Sequence, residues 1–311
     1  MPRPLPRPLP RVRAGDWIAV DWGTTTMRAR LVSAEGAVRA QAAHGPGMGT
    51  LLAGEYEPAL TGAVGPWIDD RGASANAPVE VLICGMAGAR QGWREAPYVA
   101  VPAALGELLR HAAPVPTADP RLAVRIVPGL SQDQPPDVMR GEETQLLGLL
   151  TREALGDATV CLPGTHSKWV RIKDRRVTAF STHMTGEMFA LLSERSVLRH
   201  SMDEAWDGDA FREGVREGAR SGGVLSGLFA LRAATLLGER PAGWAAARLS
   251  GLLIGTELGA ERAPGPVHVV ASGALAERYG TALRALDREG IVHDGDALAV
   301  AGLAAMRQGA T

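Results

Sequence analysis

Asp21 closes a short apolar run and is followed by Gly23, Thr24, Thr25 and Thr26 in "VDWGTTTMRARL", residues 20–31. Backbone N–H groups and hydroxyls crowded into such a turn suit phosphate oxygens, and glycine lets the backbone approach them closely. An acid just before the loop is placed to hold Mg²⁺, through water, against the β- and γ-phosphates. Alone the pattern is weak, because a plain hairpin whose hydroxyls cap its own backbone uses the same residues. A second stretch, "CLPGTHSKWVRI" at 161–172, strengthens it. With Gly23 laid on Gly164, Thr24 meets Thr165, Thr26 meets Ser167 and Arg30 meets Arg171, while Asp21 falls opposite Leu162. One Mg²⁺ needs one such acid. The second turn is therefore expected to supply donors alone, from Gly164, Thr165, His166 and Ser167, with Lys168 adding positive charge near the phosphoryl group or an acidic substrate.

Elements that could carry these turns follow in order. "WIAVD" (17–21), "RARLV" and "AVRAQA" read as a three-strand meander, and "TVCLPGTHSKWVRI" with "RVTAFS" reads as another. "VEVLICGMAG" (79–88) and "LAVRIVPGL" (122–130) are strands running into glycine loops. Leu146, Leu147, Leu150 and Ala154 fall at helical spacing over 142–155, behind two acids. A helix over 223–238 is expected to bury Val224, Leu225, Leu228 and Phe229. "ARLSGLLIGTELGA" (247–260) sets Gly251, Gly255 and Gly259 on one helix face, so another backbone or a nucleotide must come close there. "VHVVASGALAERY" (267–279) is a strand, a Ser-Gly turn and a helix. The duplicated opening predicts two similar α/β domains, each a mixed sheet flanked by helices, with both turns facing a cleft.

Composition narrows the classes. The chain has 311 residues, 46% of them apolar, and a formal charge of −1, which argues against nucleic acid or an anionic membrane as a general partner. No apolar run reaches the roughly 20 residues of a membrane helix. Cys84 and Cys161 each follow strand-like residues and read as buried thiols of a reducing, cytoplasmic setting. The Pro/Arg-rich residues 1–14 read as a disordered tail that no secretory signal or helix-turn-helix could use. No G-x-x-x-x-G-K-[ST] loop, G-x-S-x-G elbow or paired-His helix occurs. His166, His183 and His200 are too scattered to form a ligand set.

The paired turns resemble those of the actin, hexokinase and heat-shock-chaperone ATPase superfamily, whose ribonuclease-H-like domains the duplicated opening fits. There "DWGTT" is similar to the first phosphate motif, "PGTHSK" to the second, and "VVASGALAERY" to the adenosine motif. That resemblance implies that Ser272, Gly273 and Ala274 lie along ATP, with Gly251 and Gly255 nearby, and that the final "DALAVAGLAAM" is an interdomain connecting helix. More closely, "DWGTTTMRA", "GMAGARQGW", "DVMRGEETQLLG", "LPGTHSKWV", "MTGEMFALL" and "LSGLLIGTE" are similar, in order, to the 2-dehydro-3-deoxygalactonokinase family.

The family resemblance implies a tail at 1–14, a sugar-binding and first-phosphate domain over 15–147, and a nucleotide-binding domain over 148–311. It implies ATP- and Mg²⁺-dependent transfer to the 6-hydroxyl of 2-dehydro-3-deoxy-D-galactonate, with a homodimer left open. The alternatives are a kinase of a related acid such as 2-dehydro-3-deoxygluconate, or a phosphohydrolase of the same superfamily. A non-catalytic sugar sensor lacks the DNA-binding module it would need. The base is expected at Glu143 or Glu142, which follow the Arg140–Gly141 hinge; both cannot face one atom, and Glu143 is favoured. Cations for the sugar-acid carboxylate are Arg28, Arg90, Arg140 and Lys168, with Gly88 and Trp93 lining the same pocket. Thr185 and Gly186, opening a helix, are the remaining expected contacts.

Overall fold

The computed structural model describes residues 11–42, 45–68, 77–220 and 224–309. Its helices are α1 (Tyr56–Ile68), α2 (Glu142–Arg152), α3 (Thr185–Arg195), α4 (Gly208–Gly218), α5 (Val224–Leu237), α6 (Trp244–Ala260), α7 (Gly273–Ala285) and α8 (Gly295–Gln308). Two units result. One holds the described residues up to Ala154 together with those from Asp296 onward, and the other runs from Leu155 to Gly295.

In the first unit the strand Trp17–Trp22 is buried at every position except Asp21, as a strand covered on both faces must be. It pairs antiparallel with Thr26–Val32 on one side and parallel with Val79–Gly85 on the other. The sheet order is Val38–Gln41, Thr26–Val32, Trp17–Trp22, Val79–Gly85, Leu122–Ile126, Ala113–Val115. Leu60, Val64 and Trp67 of α1 join Ile18, Val20 and Trp22 in one core. Residues 1–10 of the expected tail lie outside the described residues. Residues 11–14 do not belong to it: Val12 is buried in this core and its N–H donates to the Trp67 carbonyl at 3.0 Å.

The second unit repeats the plan. Ala158–Leu162 pairs antiparallel with Ser167–Lys173, which pairs antiparallel with Arg176–His183, and parallel with Val267–Ala271 on its other side. Gly290–Asp294 extends the sheet in parallel beyond Val267–Ala271. The duplicated meander is thus real in both units, with a parallel neighbour in the same place.

Three expectations change. The division expected at 147/148 would cut through α2; the units instead meet at 154/155, and α8 returns to the first. Glycine is the reason, since a Cβ on Gly302 would collide with the Thr144 carbonyl and one on Gly148 with the Leu298 carbonyl, so α2 and α8 touch backbone to backbone. In α5 the buried residues are Leu228 and Leu231, whereas Leu225 and Phe229 are exposed. In α6 the glycine face is filled by α4: a Cβ on Gly251 would collide with the Phe211 carbonyl, and one on Gly255 with that of Val215. Gly251 and Gly255 are packing glycines, not nucleotide contacts. Among the described residues no helix is long and apolar enough to cross a membrane.

Candidate functional site

The first turn is held from below. Gly23 N–H donates to the Thr26 carbonyl at 2.9 Å, and the N–H groups of Gly47, Met48 and Gly49 take the carbonyls of Thr25, Gly23 and Thr24. A Cβ on Gly47 would collide with the Thr24–Thr25 backbone, so this glycine, which belongs to no motif, seats the turn. Thr24 and Thr25 remain exposed, and Gly23 and Thr26 half-buried. Asp21 stands at the turn's entrance, with Arg28 Nη1 3.6 Å from its carboxylate, and Arg28 Nε lies 4.0 Å from Asp296. Arg28, expected on the sugar acid, is therefore flanked by two carboxylates. Burial pushes the Asp21 carboxyl above its usual value; Arg28 opposes this, while the charges of Asp296 and Glu142 add to it. Asp296 is a second acid that no motif flagged.

Glu142 and Glu143 diverge as adjacent helical residues must. Gly141 enters α2 at φ +105°, a conformation that side chains resist. Glu142 is half-buried and accepts the Arg140 N–H at 3.0 Å. Glu143 is fully buried, accepting the Gly141 N–H at 2.7 Å and the Thr144 hydroxyl at 3.1 Å. Burial, aided by the Glu142 charge, pushes its carboxyl up to about 8.

Arg140 is 8% exposed, and its Nη2 donates to the Ala96 carbonyl at 2.8 Å while the guanidinium lies 4.3 Å over the Tyr98 ring. Its Nε and Nη1 have no partner among the described residues, although a buried guanidinium N–H normally finds one. Gly88 leaves it room, since a Cβ there would come within 2.9 Å of Nη1. Arg90 is not brought to this place: its side chain is exposed and pairs with Glu95 at 3.4 Å. Trp93 packs inward, stacked on Tyr56 with centroids 6.1 Å apart.

In the second unit Thr165 and His166 are exposed, and His166 Nε2 meets the Glu187 carboxylate at 2.5 Å. Lys168 is buried, with Nζ donating to the His166 carbonyl at 3.4 Å. Ser167 turns the other way. Strand alternation puts it on the face of Trp169, where its hydroxyl bonds Tyr279 OH at 2.9 Å, so it is not a phosphate donor in this arrangement. Thr185 is likewise engaged, its hydroxyl donating to buried Glu257 rather than to a sugar acid. Gly186 packs on the turn itself, for a Cβ there would collide with the Gly164 carbonyl. Ser272 donates to Asp294 at 2.8 Å, and Gly273, at φ +59°, and Ala274 start α7 in the open. Beside the turn lies an apolar recess lined by Gly164, Gly186, Phe189, Leu253, Leu275 and Arg278.

Mg²⁺ is commonly held by one or two carboxylates, with waters and substrate phosphates completing its shell. The donor set at Asp21 fits that habit. Its carboxylate is partly exposed and crowded by other acids, and among the described residues no cluster of three ligating side chains forms a ready-made metal cage.

The chain matches the model of the family described as 2-keto-3-deoxy-galactonokinase over residues 21–306. It is 42% identical over 303 residues to a Rhizobium meliloti (strain 1021) protein named as a probable 2-dehydro-3-deoxygalactonokinase, covering 94% of this chain and 96% of that one. It is 31% identical over 294 residues to the Escherichia coli (strain K12) 2-dehydro-3-deoxygalactonokinase, covering 92% and 96%. A crystal structure from Sinorhizobium meliloti, described as a candidate 2-dehydro-3-deoxygalactonokinase, superposes with a TM-score of 0.85 at 40% identity, covering 94% and 96%.

Proposed function

The chain belongs to the 2-keto-3-deoxy-galactonokinase family, and we propose that it transfers the γ-phosphoryl group of ATP to the 6-hydroxyl of 2-dehydro-3-deoxy-D-galactonate. One observation carries this reading: Gly141, which opens α2 just before Glu142, abuts Gly85, the register partner of Trp22 beside Asp21. A phosphate-turn acid and an accessible carboxylate are thereby gathered in one region of the first unit, as phosphoryl transfer to a hydroxyl requires.

The roles divide as follows. Each turn, Gly23–Thr26 in the first unit and Gly164–His166 with Lys168 in the second, offers donors suited to phosphate oxygens, and within the second unit the apolar recess beside Gly164, with the open start of α7 at Ser272–Ala274, suits a nucleoside. Asp21 would hold Mg²⁺, which neutralises phosphate charge when bound. Arg140 takes the substrate carboxylate with the N–H groups that the protein leaves unpaired. Glu142 accepts the proton as the hydroxyl oxygen forms its bond to phosphorus; the bond from phosphorus to the ADP oxygen breaks, and its electrons stay on ADP. Glu142 is preferred to Glu143 because Glu143 is sealed from solvent and already accepts two hydrogen bonds. Charge stabilisation rather than proton abstraction dominates such reactions.

The test is coupled ADP release with the galacto and gluco keto-deoxy acids, their aldonates, and water alone. Turnover is expected with the galacto acid above all. Equal turnover with the gluco isomer would broaden the substrate. ADP release in water alone at the same rate would replace the kinase with a phosphohydrolase.

A further inference from the structure

The carboxylate of Glu257 is 2% exposed and lies deep in the second unit, held by neutral donors. Trp169 Nε1–H donates to Oε1 at 2.8 Å, Tyr279 OH donates to Oε2 at 2.8 Å, and the Thr185 hydroxyl donates to the same Oε2. The Cys161 thiol stands 3.9 Å from Oε1. A carboxyl out of water is tolerated only when its oxygens find hydrogen-bond partners in this way.

The donors come from places that matter to the nucleotide reading. Trp169 follows the second turn on its outgoing strand, and Tyr279 sits in α7, which begins beside Ser272. Thr185 opens α3, whose first turn lies against the phosphate loop: Glu187 N–H donates to the Thr165 carbonyl at 2.9 Å, and Gly186 abuts Gly164. Tyr279 also meets Ser167, the residue after the turn's tip, at 2.9 Å. A single buried carboxylate therefore joins both sides of the loop and the helix that starts at the adenosine motif.

We propose that Glu257 is a positioning residue for the nucleotide: by binding Thr185, Trp169 and Tyr279 together it fixes the Gly164–Lys168 turn in its phosphate-binding shape. This rests on the reading of that turn as a phosphate site. It also gives the "LSGLLIGTE" and "MTGE" stretches one shared task that neither the packing glycines nor a sugar contact supplies.

The proposal is tested on the full-length enzyme with Glu257→Gln, Thr185→Val and Thr165→Val, measuring KM for ATP and for the sugar acid separately, with kcat and melting temperature alongside. Glutamine keeps the shape and one acceptor oxygen, which Trp169 can still use, while Thr185 and Tyr279 must turn to accept from its amide. Glu257→Gln and Thr185→Val are each expected to raise the KM for ATP about tenfold, the loss of one or two buried hydrogen bonds, with the KM for the sugar acid within about twofold. Glu257→Ala is expected to be worse than Glu257→Gln in the same parameter. A Glu257→Gln enzyme with a lowered melting temperature but an unchanged KM for ATP would overturn the proposal and leave Glu257 a purely structural residue. Thr165→Val, whose side chain is exposed, tests the underlying reading. If it leaves the KM for ATP unmoved, the turn is not the phosphate site; if it raises that KM while Glu257→Gln does not, only the positioning role fails.

Discussion

Asp21 and Arg28 face each other in register across the first hairpin, 3.6 Å from carboxylate to guanidinium. The same guanidinium also faces Asp296, 4.0 Å from Nε, so it does not cancel both carboxylates, and Asp21 can still accept a cation beside it. Asp21→Asn removes the charge and little volume. Its kcat is expected to fall by about a hundredfold or more, the scale of losing one aimed electrostatic contact, and a Mg²⁺ titration should no longer saturate in the range of the parent enzyme. Unaltered Mg²⁺ dependence in this variant would move the metal elsewhere.

The two acids of α2 separate by exposure, so their amides should separate by activity. Glu142→Gln is expected to lower kcat by about a hundredfold, within the usual range for a lost general base, with the KM for ATP nearly unchanged. Glu143→Gln should stay within about tenfold of the parent, below that range. The reverse outcome in single-turnover transfer would return the base to Glu143, as the sequence alone favours.

Glu143 also predicts how stability depends on pH. Its folded-state carboxyl is raised to about 8 from the ordinary 4.5, chiefly by burial. Between those values the folded chain binds the proton that the unfolded chain releases, so this group's contribution is fullest below about 4.5 and is lost as pH rises through about 8. Glu143→Gln, which keeps a neutral amide in place, should flatten that decline. Melting temperatures measured from pH 5 to pH 9 check it: the variant gains on the parent with rising pH, and parallel curves would mean that Glu143 titrates normally.

Arg140 is buried with Nε and Nη1 unpartnered. Arg140→Met is expected to raise the KM for the sugar acid by about 10- to 100-fold, the value of hydrogen bonds to a charged group, and to leave the KM for ATP alone. Lysine should not restore it, because an ammonium cannot reproduce the planar fork. An Arg140→Met enzyme with unchanged kinetics would make the arginine a structural partner of Ala96 and Tyr98.

The contact of α2 with α8 tolerates no side chain. Gly302→Ala places a methyl where the Thr144 carbonyl sits and should destabilise the fold by about 1–3 kcal/mol, as overpacking of a close contact does. Denaturant unfolding reads this directly, and a neutral result would mean that α8 shifts without penalty.

Local chemistry makes the two turns legible in the sequence itself. A strand ending in acid or proline, then glycine and hydroxyls, has few other shapes, and both meanders fold as their patterns require. What stays hidden depends on partners far along the chain. Gly251 and Gly255 form the same pattern whether a helix or a nucleotide lies above them, and only α4 decides. Which of Glu142 and Glu143 faces out depends on what packs against α2, and part of that packing, at Thr144 and Gly148, comes from α8 at the far end of the sequence. Ser167 reads as a donor because its neighbours do, yet Tyr279 draws it inward. Glu257 itself gives no signal beyond closing a glycine-rich helix, since a buried acid is recognised by its donors and these come from three other segments.

The return of α8 has an outcome for the order of assembly. The first unit is discontinuous, its last piece beginning at Asp296 after the whole of the second unit. During synthesis the second unit is therefore complete in sequence before the first. Until Leu298 and Gly302 have been made, the Thr144 and Gly148 face of α2 has no α8 to cover it, and a nonsense codon before Leu298 leaves that surface bare.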